Sequence, residues 1–216
     1  MKYFLAFALA LVVTTLFAYS QTRDSPKGKI KGTVTDKDGN LVTAATVYLV
    51  PEAISFEDLS PRSAKTDSNG EFDFHGVFQL GTYKLYSRKD ADGYPDSSDS
   101  FYADPKAEVP KAELTEDHPS VTVTVKLGEK AGVLAGRVID ADTGATLKAK
   151  LVFMDEDGHD HSVFVNGKYR ALLPAEKDVT LMVIVMSPDY HAQLPTAALR
   201  LDAGQEMQMD IPLAKQ

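Results

Sequence analysis

The sequence predicts an all-β fold, two tandem Greek-key β-sandwiches behind an N-terminal signal peptide, and three observations carry that expectation. The stretch Thr66 to Phe74, T-D-S-N-G-E-F-D-F, places the tight-turn pair Asn69-Gly70 directly before apolar residues at alternate positions, Phe72 and Phe74. A shorter version returns at Val165-Asn166-Gly167-Lys168-Tyr169. Leu134, Gly136, Val138 and Asp140 then repeat Ile30, Gly32, Val34 and Asp36, and Leu151 and Phe153 repeat Val47 and Leu49, while the loops between them shorten. Strands that persist as loops are trimmed are what a duplicated sandwich predicts, because packing constrains strands and not surface connections.

The N-terminus has the layout of a secretory leader. Lys2 precedes an apolar run from Phe4 to Val13 and on to Phe17, and Ala18-Tyr19-Ser20 supplies small residues before a cut ahead of Gln21. That run is short for a bilayer span, and no later stretch is longer and as apolar, so no membrane attachment is expected after cleavage. With no cysteine among 216 residues, the fold depends on its core rather than on disulfides, and the lipid-bearing cysteine of a bacterial lipoprotein is missing. The net charge of −8 becomes one unit more negative when Lys2 leaves. Such a balance, with no basic cluster, argues against nucleic acid and anionic lipid as partners. The remaining length suits two domains of about 100 residues each, at 28–128 and 132–214, after a linker at 21–27.

In chain order, Ile30, Gly32 and Val34 alternate with Lys29, Lys31 and Thr33 as a strand with one wet face, and D-K-D-G-N at Asp36 to Asn40 turns the chain. Val47 and Leu49 mark the next strand, and Pro51 to Arg62 is expected to be a loop with one helical turn. The Asn69-Gly70 hairpin follows, and then Tyr83 and Leu85 in a strand running toward Gly93-Tyr94. From Pro95 to Pro119 the chain is rich in Pro, Asp, Ser and Glu without periodicity, which predicts a long surface excursion. Val121, Val123, Val125 and Leu127 close the first module, and Met207, Met209, Ile211 and Leu213 close the second.

The order G-x-V-x-D, A-x-V-x-L, T-D-x-x-G-x-F, L-x-x-G-x-Y-x-L and G-Y is carried by Gly32 to Asp36, Ala45 to Leu49, Thr66 to Phe72, Leu80 to Leu85 and Gly93-Tyr94. It resembles the carboxypeptidase regulatory-like modules, which are transthyretin-like (prealbumin-type) β-sandwiches. The second pass departs from the pattern at Leu173-Pro174 and at Pro188-Asp189-Tyr190. The resemblance implies a fold and not an activity, since such modules are attached to enzymes, transporters and adhesins alike. Related adhesin modules carry internal isopeptide links, but Thr35 and Ile139 stand where a lysine would be needed.

Catalytic motifs are missing. None of His75, His118, His159, His161 or His191 begins an H-x-x-E or H-E-x-x-H run, and there is no G-x-S-x-G elbow or cysteine nucleophile. No cofactor and no metal are expected. The residues that would hold a metal, if one bound, are Asp155, Asp157, His159 and His161 in D-E-D-G-H-D-H, where extended alternation would bring carboxylates and imidazoles to one face. The competing reading makes Asp157-Gly158 a hairpin tip that breaks the alternation. Asp36/Asp38/Asn40 and Asp67/Asn69/Glu71 lack a calcium-loop frame and suit turns.

Tyr94, Phe101 and Tyr102, in G-Y-P-D-S-S-D-S-F-Y, are the candidate ligand residues, suited to stacking on a sugar or a partner if they are wet. Met182, Ile184 and Met186 are the candidate interaction patch. They face away from the core where the first module has Lys84, Tyr86 and Arg88, so they must be covered by the first module, by a partner protein, or by the chain's own Pro195 to Leu199. The functional expectation is an exported, non-catalytic binding module, periplasmic or extracellular, with a protein or glycan partner. The alternatives are a carbohydrate-binding protein and a metal-dependent enzyme centred on His159 and His161.

Overall fold

A computed structural model describes residues 27–53, 62–75, 78–104, 106–190 and 198–215. The leader, the linker up to residue 26, the helical turn expected after Pro51 and most of the Pro195 to Leu199 segment lie outside these residues. Every regular element described is a strand except for one 3-10 turn at Asp90–Asp92. The first eight strands are β1 (Lys27–Thr35), β2 (Thr46–Pro51), β3 (Arg62–Lys65), β4 (Glu71–Asp73), β5 (Phe78–Gln79), β6 (Gly81–Arg88), β7 (Lys111–Leu114) and β8 (Ser120–Lys126). The next seven are β9 (Gly132–Asp140), β10 (Lys148–Asp155), β11 (Asp160–Asn166), β12 (Lys168–Leu173), β13 (Val179–Val185), β14 (Glu206–Gln208) and β15 (Ile211–Leu213).

Two sheets form the first half. One runs β3-β2-β6-β7, and the other centres on β1, which pairs antiparallel with β4 and β5 and parallel with β8. Because side chains alternate across a strand, Ile30, Val34, Val47, Leu49, Phe72, Leu85 and Val125 all point into the space between the sheets and form one core. In the second half the path β13-β10-β11-β12-β9 is continuous, because β11 and β12 meet at Asn166 and Lys168; β14 and β15 add to β9 in parallel. Leu134, Val138, Leu151, Phe153, Tyr169, Leu181 and Val183 fill its separate core.

The same pairing scheme serves both halves. Gly32 lies opposite Phe72 as Gly136 lies opposite Tyr169, and Leu49 lies opposite Leu85 as Phe153 lies opposite Leu181. The two glycines also share a physical reason. A Cβ on Gly32 would stand 1.8 Å from the Val123 carbonyl oxygen, and one on Gly136 would stand 1.9 Å from that of Met209. At both places two backbones approach too closely for any side chain.

Local chemistry explains the central hairpin. The buried Thr66 hydroxyl donates to the Val42 carbonyl at 2.7 Å and accepts from the Ala45 N–H at 2.9 Å, tying the turn to the start of β2. Asp67 accepts from the N–H groups of Asn69 and Glu71, and Gly70 takes a φ of +70°. Asp36 serves its own turn in the same way, accepting from Asp38 and Asn40. Both acidic turns thus spend carboxylate oxygens on backbone amides.

One expectation needs correcting. The excursion from Pro95 to Pro119 contains a strand, β7, which pairs antiparallel with β6 and buries Ala112 and Leu114. K-A-E-L holds only two apolar residues, of modest β propensity, and gives no periodic signal of its own; the open edge of β6 supplies the order.

Candidate functional site

The turn between β10 and β11 gathers three of the four metal-candidate residues and separates the fourth. Ligand atoms of Asp155, Asp157 and His159 lie within 4.8 Å of one another. Gly158, at φ +84°, reverses the chain there, so extended alternation fails and the hairpin-tip geometry holds. The Asp155 side chain is fully buried and accepts from the backbone N–H groups of Asp157 and His159. Lys177, arriving from the β12–β13 connection, places its Nζ 3.2 Å from Asp155 Oδ2 and 3.0 Å from Asp157 Oδ2. Burial by itself would raise the Asp155 carboxyl, but the His159 and Lys177 hydrogen bonds outweigh it and hold the group below its ordinary value. Hydrogen bonding to Asp157 and then to Asp155 raises Lys177. An ammonium therefore occupies the position between the carboxylates that a divalent cation would need. His161 is elsewhere: its Nδ1 is 3.0 Å from Asp99 Oδ2, and its ring stacks on Phe101 with centroids 5.7 Å apart.

The aromatic loop proves to be structural. Phe101 is 0 % exposed and belongs to the core of the second half, although its place in the chain falls before β7 and β8 of the first. The expectation of a wet aromatic at this position therefore fails. Tyr102 packs edge-on against Phe101 and donates its hydroxyl to the Leu172 carbonyl at 3.0 Å, and burial pushes its phenol well above the ordinary range. Tyr94 is half-buried against the first core with the Lys130 ammonium 5.3 Å from its ring centroid. Phe101 and Tyr102 thus carry a loop of the first half into the second, while Tyr94 stays with the first core.

Two depressions accompany these elements. A crevice of about 400 Å³ opens where the halves meet, lined among others by Tyr102, Glu108, Lys126, Lys130 and Lys177. A shallower groove of about 550 Å³ runs past Lys31, Lys65, Asp67, Asp73 and His75. Both interleave charges of opposite sign, so neither collects the field that an ionic ligand would need.

The outer face of β10, β11 and β13 is different. In register, Met182 lies beside Val152 and Ile184 beside Lys150 on one side of β10; on the other, Ser162 lies beside Val152, Phe164 beside Lys150 and Asp160 beside Met154. Alternation turns all of these outward. Met154, Phe164 and Met186 are 46 %, 70 % and 63 % exposed, and they make up three of the four large exposed hydrophobics among the described residues. The first half therefore does not cover them. Its own equivalent face carries Tyr48, Lys84, Tyr86 and Arg88, with the Arg88 guanidinium 5.3 Å from the Tyr48 ring centroid. Met182, Ile184 and Met186 were legible from β13 alone, whereas Val152, Met154 and Phe164 emerge only once the register is known, their signal being the alternate positions of β10 and β11.

Comparisons with known proteins give several structural likenesses and one family match. Among solved structures, the chain is similar to the Bacillus anthracis TIE protein (16% identity, 88% of this chain and 34% of that one, TM-score 0.36). It is similar also to a streptococcal ancillary pilin (19% identity, 89% and 63%, TM-score 0.38) and to the shaft pilin SpaA of Lactobacillus rhamnosus GG (12% identity, 88% and 98%, TM-score 0.36). The chain spans about a third of the first and under two thirds of the second. A search of curated proteins finds no match. No described helix is long and apolar enough to cross a membrane. Residues 29–128, the stretch that folds as β1 to β8, match the family model of the carboxypeptidase regulatory-like domain.

Proposed function

We propose that the chain is an exported, non-catalytic interaction protein built of two carboxypeptidase regulatory-like sandwiches, at 28–128 and 132–214, which meets a protein partner through the outer face of β10, β11 and β13. The observation that carries this reading is the presence of Met154, Phe164 and Met186, all exposed, on the outer face of one three-stranded surface. Export rests on the leader-like layout of residues 1–20. The second module rests on the recurrence of the strand registers of the first. A non-catalytic role is supported by the engagement of the candidate acids and imidazoles: Asp155 and Asp157 hold Lys177, and His161 holds Asp99. A protein partner is favoured over a glycan because Phe101 is buried, Tyr102 is bonded to Leu172, and Tyr94 faces Lys130.

A photo-crosslinking amino acid placed at Phe164 or Met186 in the producing cell tests the proposal. The expected result is a discrete protein adduct from both positions and none from Thr122, on the exposed side of β8. Equal adduct patterns from all three positions would refute a dedicated contact face.

A further inference from the structure

Resting on the reading of that face as a contact surface, we propose that it is also the chain's oxidation site: peroxide oxidants convert Met154 and Met186 to sulfoxides, and the face then releases its partner. The placement of sulfur in the chain carries this. There is no cysteine, and beyond Met1 the methionines are Met154, Met182, Met186, Met207 and Met209. Three of these five belong to the outer face: Met154 on β10, Met182 on β13, and Met186 directly after β13, where its N–H donates to the Lys148 carbonyl at 3.0 Å and prolongs the ladder. Met207 and Met209 pack against the second core instead.

Exposure ranks the five. Met186 is 63 % and Met154 46 % exposed, whereas Met182, Met207 and Met209 are half-buried. The two open thioethers stand at opposite ends of the face. Met154 shares its cross-strand row with Thr180 and Asp160, Met186 lies beside Lys148, and the rows of Val152 with Met182 and of Lys150 with Ile184 fall between them. With no thiol in the chain to react first, these two sulfurs are the most accessible targets for an oxidant among the described residues.

The step needs only the oxidant. The thioether lone pair displaces hydroxide from hydrogen peroxide, so that an S–O bond forms as the O–O bond breaks, and the proton left on the new hydroxyl passes to the departing hydroxide to give water. Sulfur loses two electrons and the peroxide gains them. The product is a polar side chain where an apolar one stood. A sulfoxide oxygen pressed against an apolar partner gives up its water without gaining a hydrogen bond, which weakens the contact by about tenfold or more. The fold is spared, because neither side chain belongs to either core.

Two measurements test this. Peptide mass spectrometry of the purified full chain over a time course in dilute hydrogen peroxide should show Met154 and Met186 gaining oxygen about tenfold faster than Met207 and Met209, with thermal unfolding unchanged. Equal rates at all five methionines, or unfolding that accompanies the first oxidation, would overturn the site. In the producing cell, the adduct from a photo-crosslinking residue at position 164 should fall about tenfold on exposure to peroxide. It should persist in the Met154→Leu/Met186→Leu variant, which keeps an apolar face of similar volume without the two sulfurs. An adduct that survives peroxide in the wild type, or that is lost equally from the variant, would overturn control by oxidation and leave the contact face standing. If position 164 gives no adduct even before peroxide, the contact face fails and its control fails with it.

Discussion

Asp155 shows how a residue that looks ligating can be engaged by its own turn and a neighbouring ammonium. Its carboxylate sits at the end of β10, fully buried, and serves two backbone N–H groups, the His159 ring and the Lys177 ammonium. Replacing it with Ala leaves those donors without their acceptor and is expected to cost about 2 kcal/mol in denaturant unfolding. The pH dependence has a definite sign. The folded carboxyl lies below the ordinary 3.8, so its contribution is full above that value and is lost as the pH falls through the lower folded value. Lys177 is raised, so its contribution persists up to 10.5 and is lost only above it. The stability difference between wild type and Asp155→Ala is therefore predicted to be flat from about pH 5 to 9 and to shrink below about 3.8. A difference that varied across that range would contradict the assignment to Asp155 and Lys177.

At the scale of the element, the period-2 strands were the most legible part of the sequence. Ile30 with Val34 and Val47 with Leu49 carry clean alternation, and they bury as alternation requires. Two elements escaped for physical reasons: β7 is too short for a periodic signal, and the apolar outer positions of β10 and β11 are separated in sequence by inward-facing partners. Gly32 and Gly136 were visible as a repeated residue, but their cause is the approach of the parallel strand, which no single-strand pattern encodes. Gly136→Ala would put a methyl group into the Met209 carbonyl. It is expected to destabilise the protein by more than about 2 kcal/mol in thermal or denaturant unfolding, well beyond the slight gain that Ala brings to an ordinary strand glycine.

Across the whole molecule, the loop carrying Phe101 joins what the sequence divides. The long excursion was legible as an excursion, because its composition offers no run of alternating apolar residues. That its one buried phenylalanine completes the other half's core was not, since burial at a distance leaves no local pattern. Phe101→Ala empties a site enclosed by the second core and is expected to cost about 3–5 kcal/mol. Hydrogen exchange should show the loss concentrated in β10, β12 and β13, with β1 and β2 little affected; uniform loss across both halves would mean that they unfold as one unit.

The account depends most on the outer face of β10, β11 and β13 being open to a partner and not sealed by the chain itself. Thermal unfolding of the Met154→Ser/Phe164→Ser/Met186→Ser variant tests this most directly. If the face is open, removing exposed apolar groups should leave stability within about 0.5 kcal/mol of wild type, or slightly raise it. A loss of several kcal/mol would show that these side chains are part of the chain's own packing, and would contradict the contact surface.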